Sequence, residues 1–213
     1  MEWFSTVADL FLHLDRHLTD VVGRYGTGTY VLLCLIIFCE TGLVVTPFLP
    51  GDSLLFAAGT VAALGALDPL VLVAILVASA FAGDNTNYWI GRWVGPRAFS
   101  GKVRFLNREY LERTHSFYER HGGKTVFLAR FAPILRTFAP FVAGVGAMAY
   151  ARFLRFSSVG SLAWVSLFVL GGYFFGTLPV VRENFSLAIL AIIVISLMPA
   201  AIEAFRAWRR AGA

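Results

Sequence analysis

Charge is scarce in this chain. Only 15% of its 213 residues are Asp, Glu, Lys or Arg, against 58% apolar, and so little polar surface cannot cover a soluble domain of that size. Cysteine is scarcer still. Cys34 and Cys39 share one apolar stretch, where a helix turns them apart, so neither a disulfide nor a metal site is readable and both are taken as small core residues. The four histidines, His13, His17, His115 and His121, all lie in polar flanking segments. His13 and His17 have the i, i+4 spacing of a metal pair, but a solvated helix face accounts for it as well. With no histidine near the apolar segments, no nucleophile, base and orienting group cluster there, which argues against an enzyme such as a lipid phosphatase. No metal or cofactor is expected. A basic leader is also missing: acidic Glu2 and Asp9 interrupt the run from Met1 to Leu14, so the start is not expected to be a secretory signal and should stay in the mature protein. The formal net charge of +5 comes from basic residues flanking apolar spans, not from a polar domain with aromatic platforms, so no nucleic-acid partner is expected.

What is abundant is uninterrupted apolar sequence. Residues 156 to 181 and 184 to 202 carry no charge, and each block suffices for the ~20 residues a helix needs to cross the hydrocarbon. The expected fold is an all-α integral membrane protein, one membrane domain over residues 1–213, with an inverted repeat of two re-entrant helical hairpins plus transmembrane helices. Its parts are an N-terminal amphipathic helix (1–28), hairpin 1 (29–67), a transmembrane helix (70–91), a basic amphipathic connection (92–124), hairpin 2 (125–151), transmembrane helices at 153–178 and 184–204, and a basic tail (205–213). The run Pro47-Phe48-Leu49-Pro50-Gly51-Asp52 ends one arm of hairpin 1 and begins the next. That second arm, Ser53 to Leu67, would rise only ~22 Å as a helix, short of the ~30 Å core. Pro133 and Pro140 are expected to break the arm of hairpin 2 in the same way. A constant offset of 85 maps Ala58-Gly59 onto Ala143-Gly144, Tyr88 onto Tyr173 and Gly91 onto Gly176, a weak internal match of the kind that repeats produce. Eight of the eighteen basic residues fall between 92 and 124. Together with Arg152, Arg155 and the Arg206, Arg209, Arg210 tail they should mark the cytoplasmic side, putting the C-terminus there and the net-acidic N-terminus outside.

Ionisable side chains inside apolar segments cost from about 2.5 kcal/mol upward, so each needs a partner, a water-filled cavity or a function. Five stand out: Glu40, Asp52, Asp84, Arg130 and Arg136. Glu40 has an apolar run on one side and an uncharged one on the other; a carboxyl group so placed is a candidate proton carrier, or else the fixed partner of an arginine. Asp52 follows Pro50-Gly51 where the N-cap of the second arm would sit, and such a cap at a hairpin tip can also line a substrate site. Asp84 shares the polar half of its helix with Asn85, Asn87 and Tyr88, a pattern suited to hydrogen bonding between helices. Arg130 and Arg136 lie on opposite sides of Pro133, which lets the backbone bend and aim both guanidiniums at one cavity. Two forked donors in an apolar hairpin suit an anionic head group; equally, they can neutralise Glu40 and Asp52.

At these residues the sequence resembles the DedA family of bacterial membrane proteins, whose shared region is also called the VTT or SNARE-associated domain. The likeness covers about residues 28 to 178. Three stretches carry it: Phe38-Cys39-Glu40-Thr41-Gly42 with Pro47 through Leu55 and Ala58-Gly59; Gly83-Asp84 with Tyr88, Gly91-Arg92 and Gly95; and Phe127 through Arg130-Phe131, Pro133, Arg136 through Gly144, Met148, Phe153, Gly160 and Trp164. The resemblance implies two opposed re-entrant hairpins in an inverted repeat and transport of phospholipid-type substrates, the polyprenyl phosphate carrier of cell-wall synthesis among them. Other members affect proton homeostasis and drug tolerance, and eukaryotic relatives are similar to scramblases. The two acids and two arginines that the family needs fall on Glu40, Asp52, Arg130 and Arg136, with Asp at 52 where many members carry Glu.

The sequence therefore leads to a proton-coupled translocase of a phosphate-bearing lipid, undecaprenyl phosphate first, in a bacterial inner membrane. Arg130 and Arg136 would bind substrate and Glu40 and Asp52 would carry protons, with Asp84, Tyr88, Pro50, Gly51, Pro133 and Pro140 in support. The alternative is a proton-coupled exporter of small cations or drugs, in which the carboxylates bind substrate. Membrane lipids and protons are the expected partners, and a homo-oligomer is compatible with the chain.

Overall fold

The computed structural model describes residues 14–43, 51–98, 123–192, 194 and 198. Every regular element among them is a helix. The first, α1 (Leu14–Tyr25), stops where Gly26 adopts φ 53° and donates its N–H to the Val22 carbonyl at 2.8 Å, a left-handed cap that glycine takes without strain. α2 (Gly28–Gly42) and α3 (Gly51–Ala63) are the arms expected of hairpin 1. At ~22 and ~20 Å neither reaches across a ~30 Å hydrocarbon core. The turn holding Pro47 and Pro50 lies outside the described residues, as do the start of the expected amphipathic helix, most of the basic connection and the basic tail. α1 packs along α3. The second arm ends earlier than expected, at Ala63, because Gly65 turns with φ 82°.

Asp68 then caps α4 (Pro69–Ala98): its Oδ1 accepts the N–H groups of Leu70 and Val71 at 2.8 and 2.9 Å, and Pro69 takes the first helical position. α4 runs past the expected end at 91. In its polar half Asn85 and Thr86 bond back to the carbonyls of Phe81 and Ala82, and Asp84, Asn85 and Asn87 each make at least one hydrogen bond to a neighbouring helix.

The segment expected to form hairpin 2 holds α5 (Lys124–Ala129) and α6 (Pro133–Val145). Between them Ala132 is extended, φ −114° and ψ 115°, as a residue before proline must be. Pro140 corrects the sequence reading. It was expected to break the arm, yet α6 continues through it; the cost is one missing backbone hydrogen bond, at the Arg136 carbonyl. Ala147, at φ 54°, closes the turn into α7 (Tyr150–Phe175). α8 (Pro179–Glu183) follows, and residues 185–192 are again helical. Among the described residues, α4 (over Pro69–Gly95) and α7 are long and apolar enough to cross a membrane.

The helices divide into two compact units. In the first, built from parts of residues 1–35, 49–76 and 164–213, α3 lies against the end of α7 with backbones nearly touching. A Cβ on Gly59 would meet the Val169 carbonyl and the Tyr173 nitrogen, one on Gly172 the Phe56 carbonyl, and one on Gly176 the Thr60 side chain. In the second, parts of residues 36–48 and 77–163, α6 lies against α4 in the same manner. Gly144 faces the Tyr88 carbonyl and the Arg92 nitrogen, Gly91 faces the Phe141 carbonyl, and Gly95 faces Val145. The three approaches recur one for one. Short-arm positions advance by 85 residues (Gly59 to Gly144, Phe56 to Phe141, Thr60 to Val145), while long-helix positions advance by 81 (Gly91 to Gly172, Gly95 to Gly176, Tyr88 to Val169). The single offset of 85 thus aligned the arms and misaligned the long helices by one turn.

The second unit's core gathers Tyr88, Val126, Ala143, Met148 and Phe153. Tyr88 stacks on Phe153 at 4.5 Å between centroids and donates its hydroxyl to the Met148 carbonyl at 2.5 Å. Large apolar side chains point outward, Leu70 at 79% exposure and Trp93 at 64%, whereas Glu40 and Asp84 are wholly buried. That inversion of the usual rule suits a chain whose solvent is lipid.

Candidate functional site

The second unit carries two acids and two arginines inside it. α2 ends there, and Glu40 sits in its last turn. Gly42 and Gly83 bring the backbones of α2 and α4 together: a Cβ on Gly42 would lie 3.2 Å from the Gly83 Cα, and one on Gly83 would strike the Thr41 hydroxyl. Asp84 follows directly on α4. Arg130 caps the C-terminal end of α5 and Arg136 stands in the first turn of α6, so the extended Ala132 and helix-starting Pro133 separate two arginines with different local frames.

Each arginine takes its own acid. Arg130 Nη1 pairs with Asp84 Oδ2, which also accepts the Ser157 hydroxyl at 2.6 Å. Arg136 Nη2 pairs with Glu40 Oε1. All four residues are at most 3% exposed. The pairs also feel each other, since Arg136 acts on Asp84 and Glu40 acts on Arg130. The cluster sums to zero charge, the condition under which four ionised groups can be held out of water.

Asn87, one turn beyond Asp84, supplies the frame. Its amide donates to the carbonyls of Thr41 at 3.2 Å and Thr137 at 2.6 Å, the residues immediately after Glu40 and Arg136. One side chain of α4 thereby fixes the backbone beside both members of an ion pair. Two acceptors, Asp84 Oδ1 and Asn87 Oδ1, are buried without a hydrogen-bond partner among the described residues.

Asp52 belongs to the first unit. It is 7% exposed and accepts the Trp164 indole N–H at 2.8 Å. It also lies one residue inside α3, not at its cap, since the helix already begins at Gly51; an acid in the first turn still suits the helix dipole. Asp84, expected to hydrogen-bond between helices, is the acid that neutralises Arg130, a part the sequence reading had offered to Asp52. Tyr88 serves as a packing anchor. Ser157, Asn87 and Trp164 were not singled out as site residues, although a serine and an asparagine in spans otherwise free of charge are signals of the same kind as Asp84. Among the described residues no three His, Cys, Asp or Glu side chains gather as metal ligands.

The VTT domain model matches residues 49–174. Protein DedA of Escherichia coli K12 is 51% identical over 214 residues, covering 99% of this chain and 98% of that protein. An uncharacterized membrane protein of Mycobacterium tuberculosis is 44% identical over 88% of this chain and 83% of its own. Inner membrane protein YghB of Escherichia coli K12 is 34% identical over 88% of this chain and 84% of its own. No solved structure matches. A helical membrane protein with paired charges buried inside one of its two compact units is the class that the fold defines. The chain belongs to the DedA family of VTT-domain membrane proteins.

Proposed function

We propose that this chain is a proton-coupled translocase of a phosphate-bearing lipid, undecaprenyl phosphate first, and not an enzyme. The observation that carries the reading is the buried cluster in which two guanidiniums each pair with a carboxylate. An arginine stays charged in any environment and forks onto phosphate oxygens, whereas a carboxylate can be discharged by a proton. Protonation of Glu40 or Asp84 releases its arginine, and a phosphate oxyanion takes the vacated place with charge balance kept. The spare acceptor on Asp84 gives the proton a site at that acid. Asp52 carries a further proton beside Trp164. The acyl chain stays in lipid throughout.

The recurrence of the glycine approaches in the two units supports an inverted repeat of two re-entrant hairpins, a plan in which opposed half-helices exchange access between leaflets. Relatives named as inner membrane proteins support the same membrane here, with the basic C-terminal tail cytoplasmic. The test is transport of polyprenyl phosphate by purified protein in proteoliposomes with an imposed pH gradient. Wild type moves the lipid, while Arg136→Ala and Arg136→Lys do not. Normal lipid transport by Arg136→Lys would mean that the charge and not the guanidinium fork holds the phosphate. No lipid transport by wild type, with export of a cationic drug retained by Arg136→Lys, would favour the exporter reading.

A further inference from the structure

In the second unit, α5 and α7 leave a groove of about 630 Å³ lined by Lys124, Phe127, Leu128, Arg155, Phe156 and Val159. Its composition is polarised. Lys124 and Arg155 are both exposed, and neither belongs to an ion pair among the described residues. One helical turn along each helix stand Leu128, 65% exposed, and Val159, 57% exposed. The i, i+4 relation puts each cation and its apolar neighbour on one face. Phe156 fills the place where a Cβ on Gly123 would be, so the aromatic wall is seated against backbone.

We infer that this groove binds an anionic phospholipid as a resident ligand, its phosphate between Lys124 and Arg155 and the upper part of an acyl chain against Phe127, Leu128, Phe156 and Val159. Charge complementarity selects the head group: two cations with no acidic partner among the described residues attract a phosphodiester that carries net negative charge more than a zwitterion, whose own ammonium cancels the gain. The apolar walls select a lipid over free phosphate. This binding is an equilibrium property and does not depend on any lipid being moved.

The experiment is native mass spectrometry of the full chain released from nanodiscs that contain phosphatidylglycerol and phosphatidylcholine in equal amounts. Wild type retains phosphatidylglycerol in excess. Lys124→Gln/Arg155→Gln reduces that preference roughly tenfold or more, the loss expected for two basic residues at a lipid surface, whereas Lys124→Arg/Arg155→Lys keeps it. Arg24→Gln/Arg182→Gln, which removes two cations elsewhere, leaves it unchanged. Val159→Trp fills the groove with both cations intact and lowers retention of phosphatidylglycerol, an arm that stands even if the double neutralisation impairs folding. Equal retention of the two lipids by wild type, or an undiminished preference in both Lys124→Gln/Arg155→Gln and Val159→Trp, overturns the inference.

Discussion

Arg136 and Glu40 form an ion pair across 96 residues of sequence, both of them nearly devoid of solvent contact. Removing one partner leaves the other charged and buried, which costs about 3–5 kcal/mol, while removing both leaves no orphan charge. Glu40→Gln and Arg136→Met are each expected to lower the unfolding temperature in detergent more than the double variant does. Additive losses across that double-mutant cycle would mean the pair is not coupled in the folded protein.

Asn87→Ala removes two hydrogen bonds to buried carbonyls and leaves both acceptors dry. A loss of about 1–3 kcal/mol is expected, measured by chemical unfolding. Tyr88→Phe loses one hydroxyl bond but keeps its ring stacked on Phe153 and should fall at the lower end of that range.

Gly91→Ala and Gly172→Ala each drive a methyl group into the carbonyl of a facing helix, and backbone cannot step aside as a side chain can. A loss of about 1–3 kcal/mol or more is expected at both positions, by thermal unfolding. Gly23→Ala is the control: it meets nothing within 4 Å in the interior of α1, and should raise stability by roughly 0.4–1 kcal/mol.

Asp52→Asn retains an acceptor for the Trp164 indole, whereas Asp52→Leu leaves that donor buried without one. The leucine variant should be the less stable by about 1–3 kcal/mol. If Asp52 carries a proton, Asp52→Asn nevertheless stops proton-driven transport in proteoliposomes despite near-normal stability, and a fully active Asp52→Asn would remove it from the coupling scheme.

How much of this was legible beforehand depended on the range of the physics involved. Glu40, Asp84, Arg130 and Arg136 could be picked from the sequence because the cost of a charge in an apolar run is local. Their partners could not, because Arg130 meets Asp84 across 46 residues through the close approach of helices, which no window of sequence contains. Pro140 was misread for a related reason: a proline always removes one hydrogen bond, but whether that stops a helix depends on what packs beside it. The recurrence was half visible. One constant offset matched Gly59 to Gly144, but the long helices repeat four residues earlier, so Gly91 was aligned with Gly176 when its structural counterpart is Gly172.

The glycine contacts bear on how such a molecule can move. A helix seated by side chains can roll on its neighbour as rotamers give way. A helix seated carbonyl against Cα has no such compliance, because a few degrees of roll would press rigid backbone into rigid backbone. Within each unit the short arm and its long helix therefore behave as one splint, able to tilt or slide together but not to turn against each other. Under the proposed translocation, an opening toward Arg130 and Arg136 is to be sought where side chains, not backbones, form the seam.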